Sequence, residues 1–294
     1  VVTQRINIIG CGRAAGSLAR LWVQAGSVSI GNIMNRSEPS SQKAVEKIGA
    51  GTPVKYLDDM GRADYWLIGT SDDQVLTVAR QMASHEQLTA GSLVFHLAGR
   101  FGLDVLRPLE LGSISLAALH PVRSLTDSAL SLDDFAGTAC LAEGSDAALK
   151  RLQPLITSIG GTWLPVQAID RGLYHASVSI ISNITKAVAW KAQKWQRRAG
   201  LPEETAKTVT HQLLQSTMAD LFRSGARQSI TGPVVRGDTQ TIEAHIDAIK
   251  ATHPEDIEVY RVLARTVLEL AQERGDLDEK TMARFKDLLG PTSG

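Results

Sequence analysis

Chemistry in this chain would rest on an imidazole, an amine and a guanidinium set among small polar side chains. His175, Ser179, Ser182 and Lys186 follow one another at offsets of 4, 7 and 11. On an α-helix that spacing places them on one narrow stripe, with Asn183 on its flank. The other side of the same helix, Ser177, Ile180, Ile181, Ile184 and Val188, is mostly apolar. A solvated face would be rich in Glu, Lys and Arg, as this helix becomes only after Lys191. Hydroxyls, an amide, an imidazole and an amine suit the lining of a cleft; a helix packed on both sides gives the same pattern. Lys186 would act as acid or base near neutral pH only where burial or a neighbouring cation lowers its pKa.

His120-Pro121 closes a second apolar run. An imidazole, with an ordinary pKa of about 6.5, can give or take a proton there. The other reading is a loop histidine bonded to backbone and shaped by the rigid proline. Thr231-Gly232-Pro233-Val234-Val235-Arg236-Gly237-Asp238 joins two helical patterns. Gly232-Pro233 predicts a turn and Asp238 an N-cap for a helix starting at Thr239. Neither accounts for Arg236, whose fork suits a substrate carboxylate or a clamp on a neighbouring segment. His245, one turn further on, reads as structural.

The electron source is legible nearer the start. Ile6-Asn7-Ile8-Ile9 is a short apolar strand, and Gly10-Cys11-Gly12-Arg13-Ala14-Ala15-Gly16 is a glycine turn opening a helix over Ser17 to Gln24. Gly10 permits the tight turn, Gly12 leaves room for a pyrophosphate against the backbone, and the helix N-terminus offers free N–H groups to it. The third glycine arrives one residue late, since Ala15 holds the sixth position of the motif. The next strand, Val28 to Met34, ends in Asn35-Arg36-Ser37, with Lys43 shortly after. NAD sites usually place a carboxylate here to hold the ribose 2′-hydroxyl. A guanidinium instead binds a 2′-phosphate bidentately and stacks on adenine, so these residues predict NADP over NAD.

These residues need elements to position them, and strand and helix patterns alternate through the first half. A helix over Ser40 to Lys47 precedes a strand near Val54 to Tyr56; Tyr65 to Gly69 reads as a buried strand, followed by Thr70-Ser71 and a helix over Gln74 to Met82. Further strands are expected at Leu93 to His96, leading into Leu97-Ala98-Gly99, at Ser115 to Leu119, at Gly137 to Leu141 and at Thr162 to Val166. This is the α/β alternation of a doubly wound Rossmann-type sheet. From about Ala168 only helical patterns remain: Ile169 to Ala199, Glu203 to Arg223, Thr239 to Ala251, Asp256 to Glu273 and Asp278 to Leu289. The expected organisation is a dinucleotide-binding domain over 1–167 and an all-α domain over 168–294.

The chain has 294 residues, enough for two cores. Its 31 basic and 31 acidic side chains balance, which gives no global field for nucleic acid or an anionic membrane. No apolar run approaches the roughly 20 residues of a membrane span, and no charged-then-apolar leader precedes the first strand. Two cysteines, Cys11 and Cys140, form neither a disulfide framework nor a metal-binding spacing. A soluble cytoplasmic protein is the expectation.

Taken in order, the glycine loop, Asn35-Arg36-Ser37, His120-Pro121, Tyr174-His175-Ala176 through Ser182-Asn183, and Thr231-Gly232-Pro233 through Arg236-Gly237-Asp238 resemble a known family. It is the Rossmann-like NADP oxidoreductases whose helical C-terminal half is a domain of unknown function. More distantly the layout is similar to pyrroline-5-carboxylate reductase, ketopantoate reductase and the β-hydroxyacid dehydrogenases. The resemblance implies a homodimer built through the C-terminal helices and a small-molecule substrate bound between the domains. It implies roles for Lys186 and Asn183, by likeness to a lysine and asparagine of the interdomain helix, although their order and spacing differ from those families. It also supports His120, since prephenate dehydrogenases carry a comparable His-Pro. The expected activity is hydride transfer between NADP and a small carbonyl, imine or hydroxy acid, with His120 or Lys186 supplying the proton. Gly10 to Ala15, Asn35, Arg36, Ser37, Thr70, Ser71 and Ala98 would border the cofactor, and His175, Ser179 and Arg236 the substrate. A non-catalytic NADP-binding sensor or scaffold dimer is a second reading; hydride exchange between NADP and a deazaflavin, which needs a wide flat cleft, is a third.

Overall fold

The computed structural model describes residues 4–110, 114–125 and 130–291. It divides into two compact units, Val1–Ile184 and Thr185–Gly294. The composition change near Gln167 falls earlier than this division, because the first unit also takes in the start of the long helix.

In the first unit, eight strands form one sheet in the order β3-β2-β1-β4-β5-β6-β7-β8. They are β1 (Arg5–Ile9), β2 (Ser29–Met34), β3 (Thr52–Val54), β4 (Tyr65–Ile68), β5 (Leu93–His96), β6 (Ser115–Pro121), β7 (Ala139–Gly144) and β8 (Thr162–Pro165). β1 to β6 pair in parallel, whereas β7 runs antiparallel to β6 and parallel to β8. The central strands β4 and β5 are buried along their whole length, as a sheet covered on both faces requires, whereas β2 carries Ser29, Gly31 and Asn32 and β3 is partly exposed.

Helices α1 (Arg13–Ala25), α2 (Glu38–Ile48), α3 (Val75–Met82), α4 (Leu132–Phe135) and α5 (Asp146–Thr157) complete this unit, together with α6 (Arg171–Ser179). Ile6, Ile8, Leu67, Phe95 and Leu119 meet Leu18, Trp22, Phe135, Leu152 and Ile156 on one face of the sheet. Trp22 Nε1 donates to the Leu155 carbonyl at 2.7 Å, so the largest side chain of that core also ties α1 to α5. On the other face Trp66, Ile68 and Val94 pack against Val75, Val78 and Met82 of α3 and against Val105, Leu106 and Leu109 of a 3-10 segment. Each fully buried large side chain contributes roughly 1.5–3 kcal/mol.

After α6 the helix widens into a π turn over Ile180–Ile184, then continues as α7 (Thr185–Arg198). The second unit adds α8 (Glu203–Ser229), α9 (Thr239–Thr252), α10 (Ile257–Arg274) and α11 (Glu279–Leu289). Its core joins Ile242 and Ile246 of α9, Ala264 and Leu268 of α10, and Met282, Phe285 and Leu289 of α11. α7 buries none of its residues, and α8 buries only Ala206 and Thr210. Within α8, Gly225 leaves the helical region altogether, at φ 75° and ψ 164°. Among the described residues no helix is long and apolar enough to cross a membrane.

Candidate active site

The glycine turn between β1 and α1 is tightly built. Gly10 has φ +81°, and a side chain there would collide with Thr70 at 2.4 Å. Gly69, which follows β4, is pinned in turn against Ala15 and the Gly10 carbonyl. Gly12 differs: a Cβ on it would meet only the Gly69 carbonyl, at 3.9 Å. The protein's own packing therefore requires glycine at 10 and 69 and leaves open space at 12. Gly12 is the N-cap of α1, makes no side-chain cap, and the first turn contains no acidic residue. The positive end of the helix is thus uncompensated by the chain itself. A cavity of about 390 Å³ opens beside it, lined in part by Gly12, Arg13, Ser17, Arg20 and Lys47. Thr70 Oγ1 is buried next to this loop with no hydrogen-bond partner among the described residues. This is a cradle that a side chain would fill, and it fits the pyrophosphate of a dinucleotide.

Asn35 closes the loop from the end of β2. Its Oδ1 accepts from the Cys11 N–H at 2.6 Å, and its Nδ2 donates to the Ser40 carbonyl at 2.9 Å. Asn35 thus acts as a clamp on the glycine turn, with its amide occupied inside the protein. Ser37 opens α2, where Ser40 Oγ accepts from the Ser37 N–H at 3.3 Å. Arg36, between them, is exposed and is engaged in no ion pair among the described residues. Cys11 does no thiolate chemistry here, since burial pushes its pKa up to about 12.

His96, at the end of β5, was expected only as the last residue of a strand. It organises the following loop: Nδ1 accepts from the Ala98 N–H at 3.1 Å, which leaves Nε2 to donate to the Gly102 carbonyl at 2.9 Å. Burial holds its pKa below the ordinary histidine value, so the ring is neutral and both bonds persist near pH 7. Ala98 and Gly99 are held by this arrangement at the carboxyl end of the parallel strands. Ser71 is exposed and stands at the N-cap position of the 3-10 turn Asp72–Gln74 without a side-chain capping bond.

His120 lies near the end of β6, in contact with α6. Its Nδ1 is 2.8 Å from Tyr174 Oη, and the two rings meet edge to face. His175 stands beside it, with ring centroids 6.3 Å apart. The structure therefore brings together His120 and His175, two residues read separately from the sequence, and adds Tyr174. Burial, with further contributions from His175 and Arg171, lowers the pKa of His120 to about 4. Arg171, in the first turn of α6, is buried and gives Glu143 of β7 two hydrogen bonds, 2.9 Å from Nε and 2.6 Å from Nη2. This ion pair roots α6 in the sheet. Nothing in the sequence spacing marks Arg171 as buried; it sits between Asp170 and Gly172.

The expected polar stripe on the long helix is altered. Its offsets assume an uninterrupted α-helix, whereas the π turn over Ile180–Ile184 closes i→i+5 bonds. Past Ile180 the spacing of His175, Ser179, Ser182 and Lys186 no longer defines one face. Ser179 is half-buried and Asn183 exposed, while Lys186 is exposed on α7. In the second unit, Arg236 is exposed on the loop before α9, and Asp238 caps that helix by accepting from the Thr241 N–H at 3.0 Å. His245 bonds Tyr260 Oη at 2.8 Å. A polar knot absent from the sequence reading ties α7 to the start of α10: buried Asp256 accepts from Lys191 Nζ at 2.6 Å and from Trp195 Nε1 at 3.0 Å.

Residues 2–121 match the family model of a Rossmann-like domain. Residues 138–267 match that of a domain of unknown function, DUF2520. A search of the curated proteins finds no match. Solved structures share the fold at low identity. One, from Bacteroides fragilis and provisionally assigned as an NADP oxidoreductase, is 19% identical with a TM-score of 0.71, over 91% of this chain and 98% of that one. A pyrroline-5-carboxylate reductase from Coxiella burnetii is 18% identical with a TM-score of 0.59, over 92% and 98%. An imine reductase from Myxococcus stipitatus, in complex with NADP+, is 15% identical with a TM-score of 0.61, over 96% and 99%.

Proposed function

Because the chain joins a Rossmann-like domain to a DUF2520 domain, we propose that it is an NADP-dependent oxidoreductase acting on a small carbonyl, imine or hydroxy acid. The observation that carries this reading is Gly12. It is a glycine that the protein's packing does not need, at the bare positive end of α1, with open space before it. A pyrophosphate held there would account for it. The folds of the pyrroline-5-carboxylate and imine reductases lend support at the level of architecture.

Arg36 lies two residues past β2, exposed and placed to take the 2′-phosphate of NADP, while Asn35 fixes the turn beside it. NADPH, when bound, supplies the hydride. His120, at the carboxyl end of β6, is the group proposed to meet the reacting oxygen or nitrogen of the substrate. Lys186, Asn183 and Arg236 remain candidates for proton transfer and for holding an anionic substrate group. The helical unit is proposed to pair with a second copy of the chain, which would cover the apolar side chains left exposed on α7, α8 and α10.

Calorimetric titration with NADPH and NADH tests the proposal. Arg36→Glu should weaken NADPH binding by about ten- to a hundredfold, the worth of a charge-assisted bidentate contact, and leave NADH nearly unchanged. Uptake of neither coenzyme by the wild-type chain would sink the proposal.

A further inference from the structure

The two ring nitrogens of His120 face different surroundings. Nδ1 meets Tyr174 Oη at 2.8 Å, with ring centroids 5.7 Å apart and planes at 89°. Nε2 has no hydrogen-bond partner among the described residues, and Gly99 lies against the flat face of the ring: a Cβ built there would stand 2.8 Å from Nε2, 2.9 Å from Cε1 and 3.0 Å from Cδ2. Because residue 99 is glycine, no side chain presses on that face of the imidazole.

The direction of the Tyr174–His120 bond follows from acidity. A phenol is a much better proton donor than a neutral imidazole N–H, and an imidazole nitrogen is a better acceptor than a phenolic oxygen. Tyr174 therefore donates to Nδ1, and the ring's own hydrogen resides on Nε2. The surroundings keep the ring uncharged. His175 approaches from α6, and the Arg171 guanidinium lies 6.0 Å from the Tyr174 ring. The nearby carboxylate, Glu143, is taken up by Arg171. A second positive charge on His120 would be unfavourable there.

We propose that Tyr174 is a positioning residue that locks His120 in its Nε2–H tautomer, so that at Nε2 the site offers a hydrogen-bond donor and not a base. This deepens the reductase reading and rests on it, since it takes His120 to meet the substrate. It narrows the substrate class. The atom reaching His120 must bring a lone pair: a carbonyl oxygen or a neutral imine nitrogen fits, whereas an iminium, already protonated, has nothing to accept with. Hydrogen bonding from Nε2 then draws electron density toward the heteroatom and leaves its carbon open to hydride.

Nitrogen-15 NMR of the full chain, labelled at histidine, tests this directly. The His120 signals are assigned by their loss in His120→Asn. The expected wild-type pattern at pH 7 is a protonated Nε2 and an unprotonated Nδ1. Tyr174→Phe should give a mixture of tautomers and raise the His120 titration midpoint, because the lost bond favoured the neutral ring. A wild-type ring protonated at Nδ1 would overturn the proposal, as would a Phe variant whose tautomer and midpoint are unchanged. NADPH titration of the same samples separates the two readings. Wild-type protein that binds no coenzyme refutes the reductase assignment, whereas the tautomer pattern by itself decides the role of Tyr174. Retained NADPH binding by Tyr174→Phe shows that the variant has folded.

Discussion

Gly10 and Gly12 lie two residues apart and answer different demands. Gly10 combines φ +81° with a 2.4 Å collision for any side chain, so Gly10→Ala should cost more than about 2 kcal/mol in urea unfolding. Gly12 is an N-cap at φ −78° and ψ −160°, open to any residue, and its nearest neighbour to a built Cβ is 3.9 Å away. Gly12→Val should therefore cost only about 1 kcal/mol in stability while abolishing measurable NADPH binding. Equal losses of stability in the two variants would contradict this division. The acid limb of stability belongs to His120. Its pKa falls from the ordinary 6.5 to about 4 on folding, so the unfolded chain binds the proton first as pH drops. Stability should be unaffected by this group above about pH 6.5 and fall by up to about 3 kcal/mol by pH 4, with buried His96 acting in the same direction. Denaturant midpoints at pH 7 and pH 4.5 in the wild type and in His120→Asn measure it, and the difference between the two proteins should shrink at the lower pH.

Among the elements, β1, β4, β5 and β6 were legible because each is a mostly apolar run punctuated by glycine or a polar turn. The reversal of β7 was not, since strand direction leaves no trace in hydrophobic pattern. Helix α5 escaped notice as well; Pro154 stands inside it, and proline in a short amphipathic stretch argues against a helix until the packing of Leu152 and Ile156 is seen. The π turn is equally silent, because one extra residue per turn is a matter of hydrogen bonding and not of composition. Among the candidate site residues, the glycine loop, Arg36 and His120 are those that local context singles out. Arg171 and Tyr174 could not, because their significance depends on Glu143 and His120, which arrive from strands 28 and 54 residues earlier in sequence. The Arg171–Glu143 pair supplies a prediction at this scale. Glu143→Ala leaves a buried guanidinium without its counter-ion and should cost about 3–5 kcal/mol, whereas Glu143→Leu combined with Arg171→Met should recover much of that loss. Thermal unfolding of the single and double variants decides it.

For the molecule as a whole, each unit has its own core, yet the helical one leaves large apolar side chains uncovered. Leu213 is 63% exposed and Phe222 83% exposed, both on α8, with Trp190 of α7 at 56%. Individual exposed leucines are ordinary, and this many on so few helices is what the proposed pairing with a second copy would cover. Sedimentation of the wild type should give a dimer at micromolar concentration, and Leu213→Glu with Phe222→Glu should shift it to monomer; a wild-type monomer would refute the proposed pairing. Along the same helix, the bend at Gly225 is governed by handedness. No atom of another element among the described residues lies within 4 Å of where its side chain would be, so crowding from outside the helix plays no part. At φ 75° and ψ 164° the backbone suits a mirror-image residue, for which this is an ordinary extended conformation. D-alanine introduced there by chemical ligation should preserve the bend, while L-alanine, identical in composition, should force the rod to straighten or fray.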